Sequence, residues 1–363
     1  MIAANVRRFM MKEEKGLILN VSIKMKTARF FGMHNLHALA FIVTVCILGT
    51  SCTKEVKVIT EFPATKKLES RHIAELDTLY TAYAVTKVGD KFAFTVKKKS
   101  KFLYVYNEDF TPYGSMLEKG NGHNEWFAPL ITGQLTSVNG KPYACVLERS
   151  GHTLYAVNLN GQATERIKLA DFKSKELTDI SYAYKTGEND FIGANQGEQT
   201  ELFTYNNSNG KTSVIQPQGI DPAIFAADKF GLSQTLSTYN DGLGKIAVAY
   251  FSFPLLCIMN GDGSGCITVQ LGETLPKYDA ESAADSHFYF SDICSTKDRV
   301  YVLYDDPENA DQMSILGFDW EGNPVARYCV PRLTCFTVDE SNKQFIAIQE
   351  DDTNGICFEM KYE

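Results

Sequence analysis

Two groupings of side chains in this sequence could do chemistry. The first is Gly120-Asn121-Gly122-His123-Asn124-Glu125-Trp126, followed by Pro129. An imidazole and a carboxylate aimed at one ligand can move a proton between them, so His123 and Glu125 could form a ligand mouth or do acid–base work. The same segment also has an architectural reading. Its glycines allow positive φ and bare N–H groups, Glu125 would accept from those groups, and Trp126 would pack beneath the loop. The second grouping is acidic. Asp305, Asp306, Glu308 and Asp311 fall in one short stretch, and Glu350, Asp351 and Asp352 in another. Ca²⁺ takes oxygen ligands of this kind, which makes Asp305, Asp306, Asp351 and Asp352 the candidate metal ligands. Neither stretch has EF-hand spacing, and solvated loops are the plainer reading.

Two long polar stretches add aromatic candidates. Residues 217–231 contain Phe225 and Phe230, and residues 272–288 contain Tyr278, His287 and Phe288. Loops of this kind on a rigid scaffold carry recognition, so Phe225 and Tyr278 join His123 and Glu125 as candidate ligand contacts. They could equally cover the edges of sheets. Glu125, Asp179 and Asp292 stand at or near the starts of apolar runs, where carboxylates could gather around a Ca²⁺ in a hydrolase. Enzyme classes with local signatures are not represented: no GxSxG elbow, HExxH or P-loop occurs. The Gly120 motif is no dinucleotide fingerprint, because no helical pattern follows it. Four His remain beyond the N-terminal region, His72, His123, His152 and His287, and they are far apart in the chain.

The nine Cys give no zinc site, since no CxxC pair or Cys/His cluster occurs. Beyond Cys46 and Cys52 there are seven, so at least one stays unpaired. One disulfide would suit an oxidising compartment, with partners that the spacing leaves open.

These residues need elements to position them. The chain has 363 residues, 44% hydrophobic and 22% charged, which excludes wholesale disorder and a multi-span membrane protein. A net charge of −8 argues against a broad nucleic-acid surface. Aromatics at 12%, mostly Tyr and Phe, favour strands.

The N-terminal region reads as an export address. No Asp, Glu, Lys or Arg occurs from Gly32 to Thr53, and Lys24, Lys26 and Arg29 precede that stretch. Its core, ALAFIVTVCIL at 38–48, is shorter than the roughly 20 residues of a membrane span. It ends in Gly49-Thr50-Ser51-Cys52, which resembles the lipobox of bacterial lipoproteins and implies lipid on Cys52. Gly49 stands where that motif prefers Leu. Met25 opens a better signal than Met1, because Glu13 and Glu14 lie ahead of it. The expected organisation is therefore an upstream extension at 1–24, a signal peptide at 25–51, a linker at 52–64 and one domain at 65–363.

That domain repeats. Apolar strands at 92–96, 143–147, 191–195, 246–251, 300–304 and 345–349 start 51, 48, 55, 54 and 45 residues apart. A second strand follows each, at 102–106, 153–157, 201–205, 254–259, 314–318 and 356–360. Turn dipeptides then recur: Asn160-Gly161, Asn209-Gly210, Asp262-Gly263 and Glu321-Gly322. Weaker strands flank each pair, which makes four strands per unit and six units. The pattern predicts an all-β, six-bladed β-propeller of four-stranded antiparallel blades. The sixth unit runs out after three strands, so residues 65–73 are expected to supply the fourth and close the ring.

With these units and the Gly120 segment, the chain resembles the TolB-like six-bladed propeller lipoproteins of double-membraned bacteria over about residues 60–363. The family pattern is similar to Gly-x-Gly-Pro-x-Glu-Phe; here His123 replaces the Pro and Trp126 the Phe. The resemblance implies a fold and an envelope address, and no chemistry. The expected protein is a lipid-anchored, outer-membrane monomer that binds an envelope protein or a glycan on one propeller face. It needs no cofactor apart from Ca²⁺ at the acidic rim, and no nucleic acid. The alternative is a Ca²⁺-dependent hydrolase or lactonase-like enzyme at the channel mouth.

Overall fold

A computed structural model describes residues 56–363 except 80, 98, 121, 123, 160–165, 310 and 351–354. The stretch expected to be a signal peptide, Cys52, His123, Asp351 and Asp352 therefore lie outside the described residues, as does the expected Asn160-Gly161 turn.

Six sheets, each built on four antiparallel strands, account for the domain. Blade one is Ala82–Val88, Lys91–Val96, Lys101–Asn107 and Pro112–Glu118. Blade two is Pro129–Val138, Lys141–Glu148, Thr153–Val157 and Arg166–Asp171. Blade three is Ile180–Lys185, Asp190–Gln196, Thr200–Asn206 and Lys211–Ile215. Blade four is Thr235–Asn240, Lys245–Tyr250, Leu255–Asn260 and Ile267–Leu271. Blade five is Phe290–Ser295, Arg299–Tyr304, Met313–Asp319 and Pro324–Val330. Blade six is Cys335–Asp339, Gln344–Glu350 and Gly355–Lys361. The expected six-bladed propeller is the observed fold. The second strand of each blade, buried on both faces, is the apolar run that the repeat search detects; Phe92, Phe94 and Val96 in blade one are inaccessible. Three expected turns place Gly210, Gly263 and Gly322 at φ 69°, 83° and 77°, where a Cβ would be strained.

The N-terminal segment is used more fully than the repeat alone predicts. Ser70–His72 pairs antiparallel with the third strand of blade six, His72 opposite Phe358 and Ser70 opposite Met360, and closes the ring. The preceding Thr65–Lys67 does not join that blade. It runs parallel to the outer strand of blade five, and Val56–Ile59, within the stretch expected as linker, runs parallel to the outer strand of blade four. Three successive outer edges are thus covered by one passing chain, which removes open strand edges.

Adjacent blades pack through apolar clusters, and polar side chains stitch their inner strands together. Lys87 of blade one donates to Asp339 of blade six at 2.5 Å and to Glu108 at 2.8 Å. Gln134 of blade two donates to the carbonyl of Lys185 and to Asp241, both at 2.6 Å, and accepts from the Lys185 N–H. Tyr184 of blade three donates to the carbonyl of Ser237, and Thr238 of blade four bonds Ser295 at 2.8 Å. Burial raises the proton affinity of Asp339, but bonds from Lys87, Ser341 and Asn342 outweigh it and hold the carboxyl below the usual range.

Candidate functional site: the central channel and its upper mouth

In an up-and-down blade the first strand lines the axis. Connections between blades and loops between second and third strands share one face, here called upper. The first strands of this protein are rich in small residues, so their ring does not fill its own axis. It leaves a cavity of about 920 Å³. The wall carries Ala84, Thr86, Thr132, Ser181, Ser237 and Thr337, with Arg149, Gln196 and Phe251 at the upper end and Lys87, Glu340 and Ser341 at the lower.

One carboxyl stands out in that wall. Asp292 of blade five accepts the N–H of Phe336 in blade six at 2.7 Å and that of its neighbour Ile293 at 2.8 Å. Among the described residues no cation pairs with it. Burial therefore dominates, and the two N–H bonds offset it only in part: the carboxyl is pushed up to about 7. At neutral pH it can both donate and accept a proton. The thiols of Cys294 and Cys335 also line the channel and are pushed upward by burial.

At the upper mouth Phe288 is 59% exposed and its ring packs edge-on against Phe251 at 5.8 Å. On the same face, in the connection between blades one and two, Phe127 is 65% exposed, and the following residue, Ala128, accepts from the N–H of the channel-lining Arg149. Phe230, also on this face, is half exposed. All three aromatics belong to connections between blades, and so to one face.

The candidates from sequence take different places. Glu125 accepts the N–H of Gly122 at 2.7 Å and fills the space above Gly120, where φ is 154° and a Cβ would lie 2.0 Å from its carboxylate. This is the bracing geometry. Trp126 is buried between blades one and two, against Tyr155 at 5.4 Å and beneath the guanidinium of Arg166. Phe225 is buried and stacks on Tyr250 at 5.6 Å, while Tyr278 packs on Phe253 and donates to the carbonyl of Ser252. Both hold their loops to blade four rather than facing the mouth. Asp305 makes a two-point pair with Arg332, at 2.6 and 3.2 Å, and Asp306 pairs with Arg327 at 3.1 Å. These carboxylates are already bonded to guanidinium groups of their own chain. Among the described residues no group of three His, Cys, Asp or Glu side chains converges as metal ligands would. Asp179 lies at the start of blade three, where its carbonyl accepts from the Gln196 N–H.

Of the residues that form the mouth, Asp292 and Phe288 have a signal in the sequence. Phe127 and the hydroxyl residues of the wall do not. Single Thr and Ser residues in strands carry no pattern until the ring places them together.

No protein-family profile matches this chain, and no curated protein matches it. Solved structures do. A putative exported protein from Bacteroides fragilis aligns with a TM-score of 0.52 at 12% identity, covering 85% of this chain and 100% of that one. A luciferin-regenerating enzyme aligns with a TM-score of 0.48 at 10% identity, covering 81% of this chain and 95% of that one. The likeness to the Bacteroides fragilis protein, at 12% identity, speaks to the fold alone. Among the described residues no helix is long and apolar enough to cross a membrane.

Proposed function

We propose that this protein is an exported lipoprotein that binds a carbohydrate at the upper mouth of its central channel. The observation that carries the reading is the combination at that mouth. A channel of about 920 Å³ walled by hydroxyls opens on the face that carries the exposed rings of Phe288, packed on the channel residue Phe251, and Phe127. Sugars present alternating hydroxyl edges and C–H faces. Hydroxyl and amide side chains satisfy the first, and flat aromatic rings cover the second. Asp292 offers one further acceptor or donor to a sugar hydroxyl. Arg332 and Arg327 neutralise Asp305 and Asp306, so no strong local field opposes a neutral ligand. The exported address is supported by the basic flank, the apolar run and Cys52, by the TolB-like resemblance, and by a structural neighbour described as exported.

Two measurements test the reading. Saturation-transfer NMR on the purified propeller, with a panel of neutral oligosaccharides, should show transfer that Phe288→Ser weakens. Absence of transfer from every sugar, with capture of a defined envelope protein instead, would replace the glycan by a protein partner. Separately, Cys52→Ala should move the protein from the membrane fraction to the soluble one. An unchanged fractionation would remove the lipid anchor.

A further inference from the structure

The channel leaves one pair of reactive groups unexplained. Cys257 lies in the third strand of blade four, directly opposite Thr268 of the outer strand. Cys266 sits two residues before Thr268. Side chains alternate along a strand, so Cys266 and Thr268 project to the same side as Cys257. Cys266 packs against the apolar cluster that holds Cys257, whose thiol contacts the Thr268 hydroxyl at 3.5 Å, and the two thiols lie close enough to shift each other's proton affinity in opposite directions. Both belong to the packed seam between blades three and four.

The two sulfurs differ in a useful way. Cys257 is buried, and burial adds to its bond with Cys266 in keeping its proton on. Cys266 is partly exposed at the blade edge. Its thiolate would accept from Cys257 and from the Gln218 N–H, and these bonds hold its thiol below the usual range against the opposing effect of burial. The other five described cysteines have no sulfur neighbour of this kind: Cys145, Cys294, Cys335 and Cys357 are kept protonated by burial, and Cys329 is half-buried.

We propose that Cys257 and Cys266 form a redox-active pair that closes into a disulfide across the outer hairpin of blade four. The oxidant is a disulfide, either a small-molecule one or that of a thiol–disulfide oxidoreductase. The Cys266 thiolate attacks one of its sulfurs and expels the other as a thiolate. Cys257 gives its proton to a departing thiolate, and its sulfur attacks Cys266, releasing the second thiol of the donor. The pair loses two electrons and two protons, and the donor disulfide becomes two thiols. Closure fixes a short hairpin loop and stabilises the blade that carries Phe251. In the cell this step relies on the export reading. The chemical test does not.

The experiment uses the whole propeller domain, reduced and then treated with oxidised glutathione. Intact mass should fall by two hydrogens without a retained glutathione, and peptide mapping under non-reducing conditions should join the peptides of Cys257 and Cys266. Cys266→Ser should abolish the closure, and Cys257→Ser should instead trap a mixed disulfide on Cys266. The oxidised protein should melt at a higher temperature than the reduced one. A mass that does not change, or a bridge that maps to any other pair, would overturn the proposal. If the pair closes in vitro but protein recovered from whole cells is reduced and fractionates with the cytoplasm, the export reading fails and the chemistry stands.

Discussion

Asp292 shows how much one side chain can add to the behaviour of a ring. An ordinary carboxyl titrates near 3.9, and this one is raised to about 7 by burial in the channel wall. The folded state therefore holds its proton more tightly than the unfolded chain does. Between those two values the contribution of Asp292 to stability falls as pH rises, and it levels off above the folded value. The size of the effect is on the order of 4 kcal/mol, from about 1.4 kcal/mol per pH unit. Asp292→Asn should flatten that decline. Asn cannot accept both N–H bonds, so the variant should also lose about 1 kcal/mol at low pH. Urea unfolding from about pH 4 to about pH 8 would read both changes. A pH dependence identical in the wild type and Asp292→Asn would contradict the assignment. The position of Asp292 near the start of an apolar run is legible in the sequence, but its isolation from cations is not. That depends on which side chains blades five and six turn toward the axis.

At the scale of elements, the buried second strands and the hairpin glycines are readable because each has a local cause. Apolar continuity marks a strand covered on both sides, and Asn-Gly or Asp-Gly marks a turn with positive φ. The N-terminal edge strands are harder to read. Thr65–Lys67 and Ser70–His72 are three residues each, exposed and charged, and nothing in them distinguishes the blade they join. Their positions follow from the chain passing along successive outer edges. The two kinds of edge strand should differ in weight. Removing residues 56–67 strips fifth strands from blades four and five, whose own four strands remain. Removing residues 56–73 also opens the ring at blade six. The longer deletion should lower the melting temperature well beyond the shorter one and should promote self-association through the bared edge, seen by light scattering. Equal melting temperatures for the two deletions would mean that Ser70–His72 does not close the ring.

For the whole molecule, the fold brings together what the chain keeps apart. Phe127, Phe251 and Phe288 come from blade connections and loops 161 residues apart at the extremes, and only the six-bladed arrangement brings them to one face. The Gly120 segment, the most conspicuous local motif, turns out to brace a loop through Glu125, while the wall proposed to meet a ligand is made of unremarkable Thr, Ser and Ala residues. The account rests on that wall being a binding surface, and filling it tests this directly. Ala84 faces the channel from the inner strand of blade one, so Ala84→Trp would occupy the cavity without entering the packed seams between blades. Isothermal titration with the oligosaccharide giving the strongest saturation transfer should show saturable heat for the wild type and none for Ala84→Trp, with the two proteins melting alike. Equal binding by both proteins would contradict the channel as the site.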